Sequence, residues 1–138
     1  MTRDTNITIV EKYFEAVNTE DASIFEEILS SDFVLHAAAE LNKEAMKALL
    51  TTSPYPGFVT KIEDMVIDED KIAVRTTDSY TQKVQIGTST PTEKVAKYSH
   101  FIIFHLKDGL ITEAWNLVDH LSRFQQLGLL PPTEEIGK

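Results

Sequence analysis

Residues Tyr98 to Gly128 read YSHFIIFHLKDGLITEAWNLVDHLSRFQQLG. This pattern predicts two long strands joined by a tight turn at Asp108-Gly109, followed by a short helix that Gly128 ends. Almost every polar group able to do chemistry lies here or must fold against it, so the register of the hairpin matters. Two registers are open. With Asp108 and Gly109 alone in the loop, Leu106 lies near Ile111 and His100 stands opposite Leu117. With a three-residue loop of Lys107, Asp108 and a left-handed Gly109, His100 shares a face with Asn116. A slip of one residue moves every side chain to the other side. Lys-Asp-Gly suits a type I turn followed by a left-handed glycine, which favours the second register. Tyr98, His100, Ile102, Ala114, Asn116 and Val118 then share one face, and Phe101, Ile103, Trp115 and Leu117 share the other. Both faces are largely apolar and both need cover. The expectation is a pocket under helices on the first face and a second subunit on the other.

The 138 residues suffice for a single domain, 1–138, that closes a core without staples. The absence of cysteine excludes disulfides, thiolate catalysis and cysteine-based zinc sites. A formal charge of -9 without clustered Lys and Arg argues against nucleic acid as a partner. No apolar run approaches membrane-spanning length, and the start MTRDTNITIVEKYF lacks a signal-peptide core. A cytoplasmic protein without a membrane partner is the resulting expectation.

Outward from the hairpin, residues 6–18 place Ile7, Val10, Phe14 and Val17 at helical spacing. Asp21 is placed to cap a second helix running to about Leu29, with Ile24, Phe25 and Ile28 inward. A brief strand, Asp32 to His36, follows. Three alanines lead to Asn42, a cap for a third helix carrying Met46, Leu49 and Leu50. The stretch TTSPYPG reads as a loop. Periodicity then becomes alternating: Ile62 to Ile67 and Ile72 to Thr81 read as strands, GTSTPTEK as a loop, and Val95 to Leu106 as the first long strand. Asp119 is a cap for the helix of Leu121, Phe124 and Leu127, and the tail LLPPTEEIGK is ordered only if docked. Helices first and a mainly antiparallel sheet afterwards give an α+β domain. A curved sheet wrapped around the N-terminal helices forms a cone or barrel with an internal pocket, where ligands tend to bind.

YFEAVNTED, SSDFVLHAA, KIEDMVIDEDKIAVR, PTEK and above all KDGLITEAWNLVDHLSRFQQLG occur in the order and spacing of a known group. On these stretches the chain resembles the SnoaL-like polyketide cyclases and the related ester cyclases of the nuclear transport factor 2-like superfamily. The resemblance implies a cone-shaped α+β fold, usually dimeric, and ring closure by intramolecular aldol condensation without metal or cofactor. It also implies an aspartate acid-base assisted by histidine and asparagine. At the position matching that aspartate this chain has Asn116, with Asp119 three residues on. An amide does not titrate near neutral pH, so the mechanism does not carry over intact. Thr81 and Gln82 stand where many relatives have histidine, and Glu93 replaces a glycine of the loop.

The catalytic candidates are therefore His100, His36, Asn116 and Asp119. His100 on an apolar wall is either the titrating group or a hydrogen-bonded core histidine. His36 matches a family position that is often polar and pocket-facing, and Asn116 supplies a donor for a carbonyl or enol oxygen. Asp119 competes with its role as a helix cap. Tyr13, Phe14, Tyr98, Ile102 and Val118 are expected to line the pocket, with the tyrosines equally suited to a core. Trp115, with Phe101, Ile103 and Leu117, anchors the expected homodimer. His105 and His120 read as surface groups, and the spacing of the four histidines suits no metal. Arg75, Asp78 and Asp119 resemble the Asp-Arg-Asp set of epoxide hydrolases on this fold, by analogy alone. The first reading is a cofactor-free binder of a small apolar oxygen-bearing molecule with acid-base chemistry of the cyclase or isomerase type. The rival is a non-catalytic carrier that has lost its acid at position 116.

Overall fold

The structure is a computed structural model that describes residues 2–52, 55, 57–85 and 90–137. Parts of the two expected loops, Ser53, Pro54 and Pro56 in the first and residues 86–89 in the second, lie outside the described residues. The helices α1 (Arg3–Thr19), α2 (Ala22–Ile28) and α3 (Lys43–Thr52) precede most of the sheet. The strands are β1 (Leu29–His36), β2 (Glu40–Asn42), β3 (Val59–Asp68), β4 (Lys71–Thr81), β5 (Val95–Lys107) and β6 (Leu110–Val118), and helix α4 (His120–Gln126) follows. They form one six-stranded sheet in the order β2-β1-β6-β5-β4-β3. Only β1 and β6 run parallel, and β2 and β3 remain as edges, so the barrel is not closed. The expected α+β cone is present. The edge strand β2 was not anticipated: its three residues are polar or isolated apolar ones, too few to show a period.

The expected caps form. The Asp21, Asn42 and Asp119 side chains accept from the backbone N–H groups of Ser23, Ala45 and Ser122, at 2.9, 2.9 and 3.0 Å. At α4 the inward residues differ from expectation. Leu121 is exposed, and Arg123 is buried beside Leu127. The tail is docked, with Gln125 donating to the Pro131 carbonyl and the Thr133 hydroxyl at 3.0 Å each.

The hairpin corrects one step of the register argument and keeps its result. Lys107 pairs with Leu110, and both intervening residues have positive φ, 52° at Asp108 and 78° at Gly109, as a two-residue type I′ turn requires. The three-residue loop is thus not used. The turn alone would have put His100 opposite Leu117, but a bulge intervenes: Leu106 pairs with Ile111 while His105 pairs with Glu113, leaving Thr112 extra. The bulge shifts the pairing by one, so Ile102 faces Asn116 and His100 faces Val118. The even-numbered residues of β5, and those of β6 beyond the bulge, therefore point inward.

Two apolar clusters cover that inner face. The larger joins α1, α2 and α3 to the sheet through Tyr13, Phe14, Phe25, Ile102 and Phe104, with Phe104 edge-on to Tyr13 and Phe14 at 4.9 and 5.8 Å between centroids. The smaller lies under α4, around Tyr80, Ala96, Tyr98 and Leu127. Beyond Val118, strand β6 ends and α4 takes its place beside β5. Gln126 bonds both the N–H and the carbonyl of Lys97, at 2.8 and 2.7 Å, as a neighbouring strand would.

Candidate active site

Between the two clusters runs a polar layer. On β4 the inward positions are Ile72, Val74, Thr76, Asp78 and Tyr80, all buried. An aspartate on that row must be hydrogen-bonded to be tolerated. Asp78, 4% exposed, accepts from the hydroxyls of Thr60 at 2.6 Å and Thr76 at 2.9 Å. Its second oxygen lies 3.3 Å from Nδ1 of His100 on the adjacent strand. Thr60 is itself clamped by Asn18 at the end of α1, whose side-chain amide bonds both the N–H and the carbonyl of Thr60, at 2.8 and 2.9 Å. The chain Asn18, Thr60, Asp78, His100 thus ties a helix end to the orientation of an imidazole.

The other ring nitrogen of His100, Nε2, is buried and has no hydrogen-bond partner among the described residues. Nδ1 faces the Asp78 carboxylate, which leaves Nε2 as the ring nitrogen turned away from it. Two phenols stand close enough to feel the Asp78 charge. Burial first, and the Asp78 carboxylate second, raise the pKa of both Tyr13 and Tyr98, which keeps them protonated. Cover of the inner face is incomplete at this place. Tyr98, Ile102, Phe104 and Ala114 are buried, whereas His100, Asn116 and Val118 are only half-buried.

Of the expected site residues, the sheet brings together His100, Asn116, Tyr98 and Val118, with Asn116 one diagonal step from His100. His36 is not among them. Its neighbour across β1 and β6 is Trp115, on which its ring stacks at 5.1 Å, and this is the outer face. There Nε2 of His36 meets Glu113 at 2.6 Å and Nδ1 meets Glu40 at 3.3 Å. The cause is strand parity: Phe33 and Leu35 take the inward positions of β1, which leaves His36 outward. Phe14 and Ile102, expected to line open space, are packed into the larger cluster, as is Tyr13. Asp119 is exposed and caps α4. Arg75 is on the exposed parity of β4, so the epoxide-hydrolase arrangement does not assemble. Two surface hollows, of about 600 and 230 Å³, lie elsewhere, at the hairpin turns beside Asn6 and Leu106 and near Gly57 and Val95. Among the described residues no cluster of His, Asp and Glu is arranged to hold a metal, and no helix is long and apolar enough to cross a membrane.

Sequence reasoning missed Thr60 and Arg123 as site residues, and named Asp78 only in the epoxide-hydrolase analogy, not as the partner of His100. Parity along β4 was the available signal for Asp78, because the apolar residues Ile72 and Val74 fix which positions point inward.

His36 offers a separate test of its outer-face partners. Its hydrogen bond to Glu113 raises the pKa above the ordinary 6.5; partial desolvation opposes this, and the Glu113 and Glu40 charges add to the rise. A raised folded-state pKa gives stability that is fully present below the unfolded value and lost as pH rises through the folded value. His36→Gln should therefore lower the melting temperature more at about pH 5.5 than at about pH 8.5. Equal losses at the two pH values would refute the ion pair.

The fold recurs in solved structures. IdmH from Streptomyces antibioticus, a proposed polyketide cyclase, superposes with a TM-score of 0.81 at 21% identity, covering 89% of this chain and 98% of that one. TsrD from Streptomyces laurentii gives 0.83 at 25% identity over 94% of this chain and 99% of its own. An LEH-like epoxide hydrolase from M. tuberculosis gives 0.72 at 20% identity, over 90% of each chain. No curated protein sequence matches. Residues 7–127, from the first helix through α4, match one family throughout, and the chain belongs to the SnoaL-like polyketide cyclase family.

Proposed function

We propose that this protein moves a proton at a carbon beside a carbonyl of a small, apolar, oxygen-bearing molecule, as cyclases and isomerases of this kind do. The buried, unpartnered Nε2 of His100 carries the reading, with Nδ1 held against Asp78. Nε2 takes the carbon-bound proton, the electron pair moves onto the carbonyl oxygen, and the imidazolium that forms is stabilised by the Asp78 carboxylate. Asn116 then serves as a hydrogen-bond donor to the developing oxyanion, a task for which an amide suits as well as an acid. Protein side chains are sufficient for every step. The substrate enters over the half-buried patch of His100, Asn116 and Val118.

The test is proton-deuterium exchange at the activated carbon of 2-tetralone, an apolar enolisable ketone, followed by NMR in D2O. Exchange faster with the protein than with an equal concentration of free imidazole is expected, and no acceleration rejects the reading. Asn116 itself favours a second reading, a carrier without chemistry, because it replaces the family's acid. Asn116→Asp separates the two. An enzyme that relies on the amide loses its acceleration in this variant, whereas a carrier has none to lose.

The outer face of β5 and β6 exposes Phe101, Ile103, Trp115 and Leu117, from 38% to 76% of their surface. An apolar patch of this kind on one sheet face supports the proposed homodimer. Sedimentation at micromolar concentration should give a dimer for the native chain and a monomer for the double variant Phe101→Glu, Leu117→Glu. A native monomer would dismiss this interface.

A further inference from the structure

We propose that Arg123 is the anchor for an acidic group of the ligand, so that the cone selects carboxylates over their neutral analogues. This rests on reading the cone as a ligand site, though not on any reaction taking place there. Arg123 is 7% exposed, yet among the described residues no carboxylate lies within ion-pair distance of it. Its contacts are neutral. Nε donates to the Tyr80 hydroxyl at 2.6 Å and an Nη2 proton to the Tyr55 hydroxyl at 2.8 Å, while Nη1 lies 3.1 Å from Nδ1 of His120. The guanidinium carbon also sits 4.7 to 5.9 Å from the ring centres of Phe124, Tyr55, Tyr80 and Tyr98. A guanidinium has five N–H groups, and the three contacts named leave two over.

The surroundings of this cation make it stand out. Burial, then the arginine charge, depress the pKa of His120, so its ring accepts from Arg123 as a neutral imidazole. A buried charge is normally matched by an opposite one, because hydroxyls and rings recover only part of the hydration it has lost. A carboxylate brought by the ligand would supply the missing partner with two charge-assisted bonds. The location suits this role. Tyr98, whose ring is one wall of the cage, is the inward neighbour of His100 on β5, so the anchor lies across one side chain from the proposed base.

The probes are 2-naphthoate and 2-naphthamide, which differ in charge and little in shape. The Nε–H signals of Arg3, Arg75 and Arg123, the arginines of this chain, are followed by NMR during titration at neutral pH. Naphthoate should shift the Arg123 signal alone and bind about tenfold or more tightly than the amide. In Arg123→Gln that preference should vanish, and in His100→Phe it should persist. Equal affinities in the native chain, no binding of the acid, or an unmoved Arg123 signal would overturn the proposal. So would loss of the preference in His100→Phe. Because turnover is not read, these outcomes are independent of whether His100 moves a proton. A purely structural arginine would lower the melting temperature on substitution without altering the ratio of acid to amide.

Discussion

His100→Gln should reduce the rate of carbon-proton exchange by roughly 10² to 10⁴, the usual worth of a positioned acid-base group. Glutamine is comparable in reach and presents an amide N–H that Asp78 is able to accept, so the buried carboxylate keeps a donor. It has no lone pair basic enough to take a proton from carbon. The fold has little at stake in this exchange, because among the described residues His100 makes a single polar contact, of 3.3 Å, within the layer. A melting temperature within a few degrees of the native value, together with the loss of exchange, is the expected pair of results. Exchange that survives in the variant would remove His100 from the chemistry, whatever else the cone binds.

The residues that could be placed from the sequence were those whose position follows from local rules. The caps at Asp21, Asn42 and Asp119 depend on a helix that starts one residue later. The inward row of β5 depends on alternation alone. The agreement over His100 and Asn116 is instructive because the local premise failed. A two-residue turn and a bulge at Thr112 combined to give the parity that a three-residue loop would have given. Bulges are specified by packing at a distance, here by the need to bury both Ile111 and Ala114, which are three positions apart.

What stayed hidden depended on which strands are neighbours. His36 is placed outward by the alternation of β1, but its outer-face neighbours Trp115 and Glu113 come from the pairing with β6, which nothing within SSDFVLHAA shows. Asp78 gains its role only when β3 brings Thr60 and β5 brings His100 to either side of it. Arg123 defeats the helical pattern outright, since its inward position falls where a hydrophobic residue would be expected. Exceptions to local rules of this sort cluster at functional sites. The same fold carries a proposed cyclase and an epoxide hydrolase among the similar structures, so the chemistry has to be argued from such residues rather than from the fold.

Asp78→Ala should destabilise the protein by about 1–3 kcal/mol, read as a fall in the urea midpoint, because it leaves the buried donors of the network without their acceptor. The hydroxyls of Thr60 and Thr76 would lose a buried acceptor, and Nδ1 of His100 would lose its partner. Asp78→Asn should cost less, since an amide oxygen still accepts from both threonines, although its NH2 group then faces the ring. The informative comparison is the quadruple variant Thr60→Val, Thr76→Val, Asp78→Val, His100→Leu. Removing every member of a buried polar network, rather than one, is frequently neutral or stabilising. The quadruple variant should therefore recover most of the stability lost in Asp78→Ala, while carbon-proton exchange stays at the level of His100→Gln. If so, the apolar clusters on either side are able to hold the fold without the polar layer, and the layer is present for what it does to a ligand. A quadruple variant as unstable as Asp78→Ala would instead make the network a structural element, and would weaken the case that His100 is kept for chemistry.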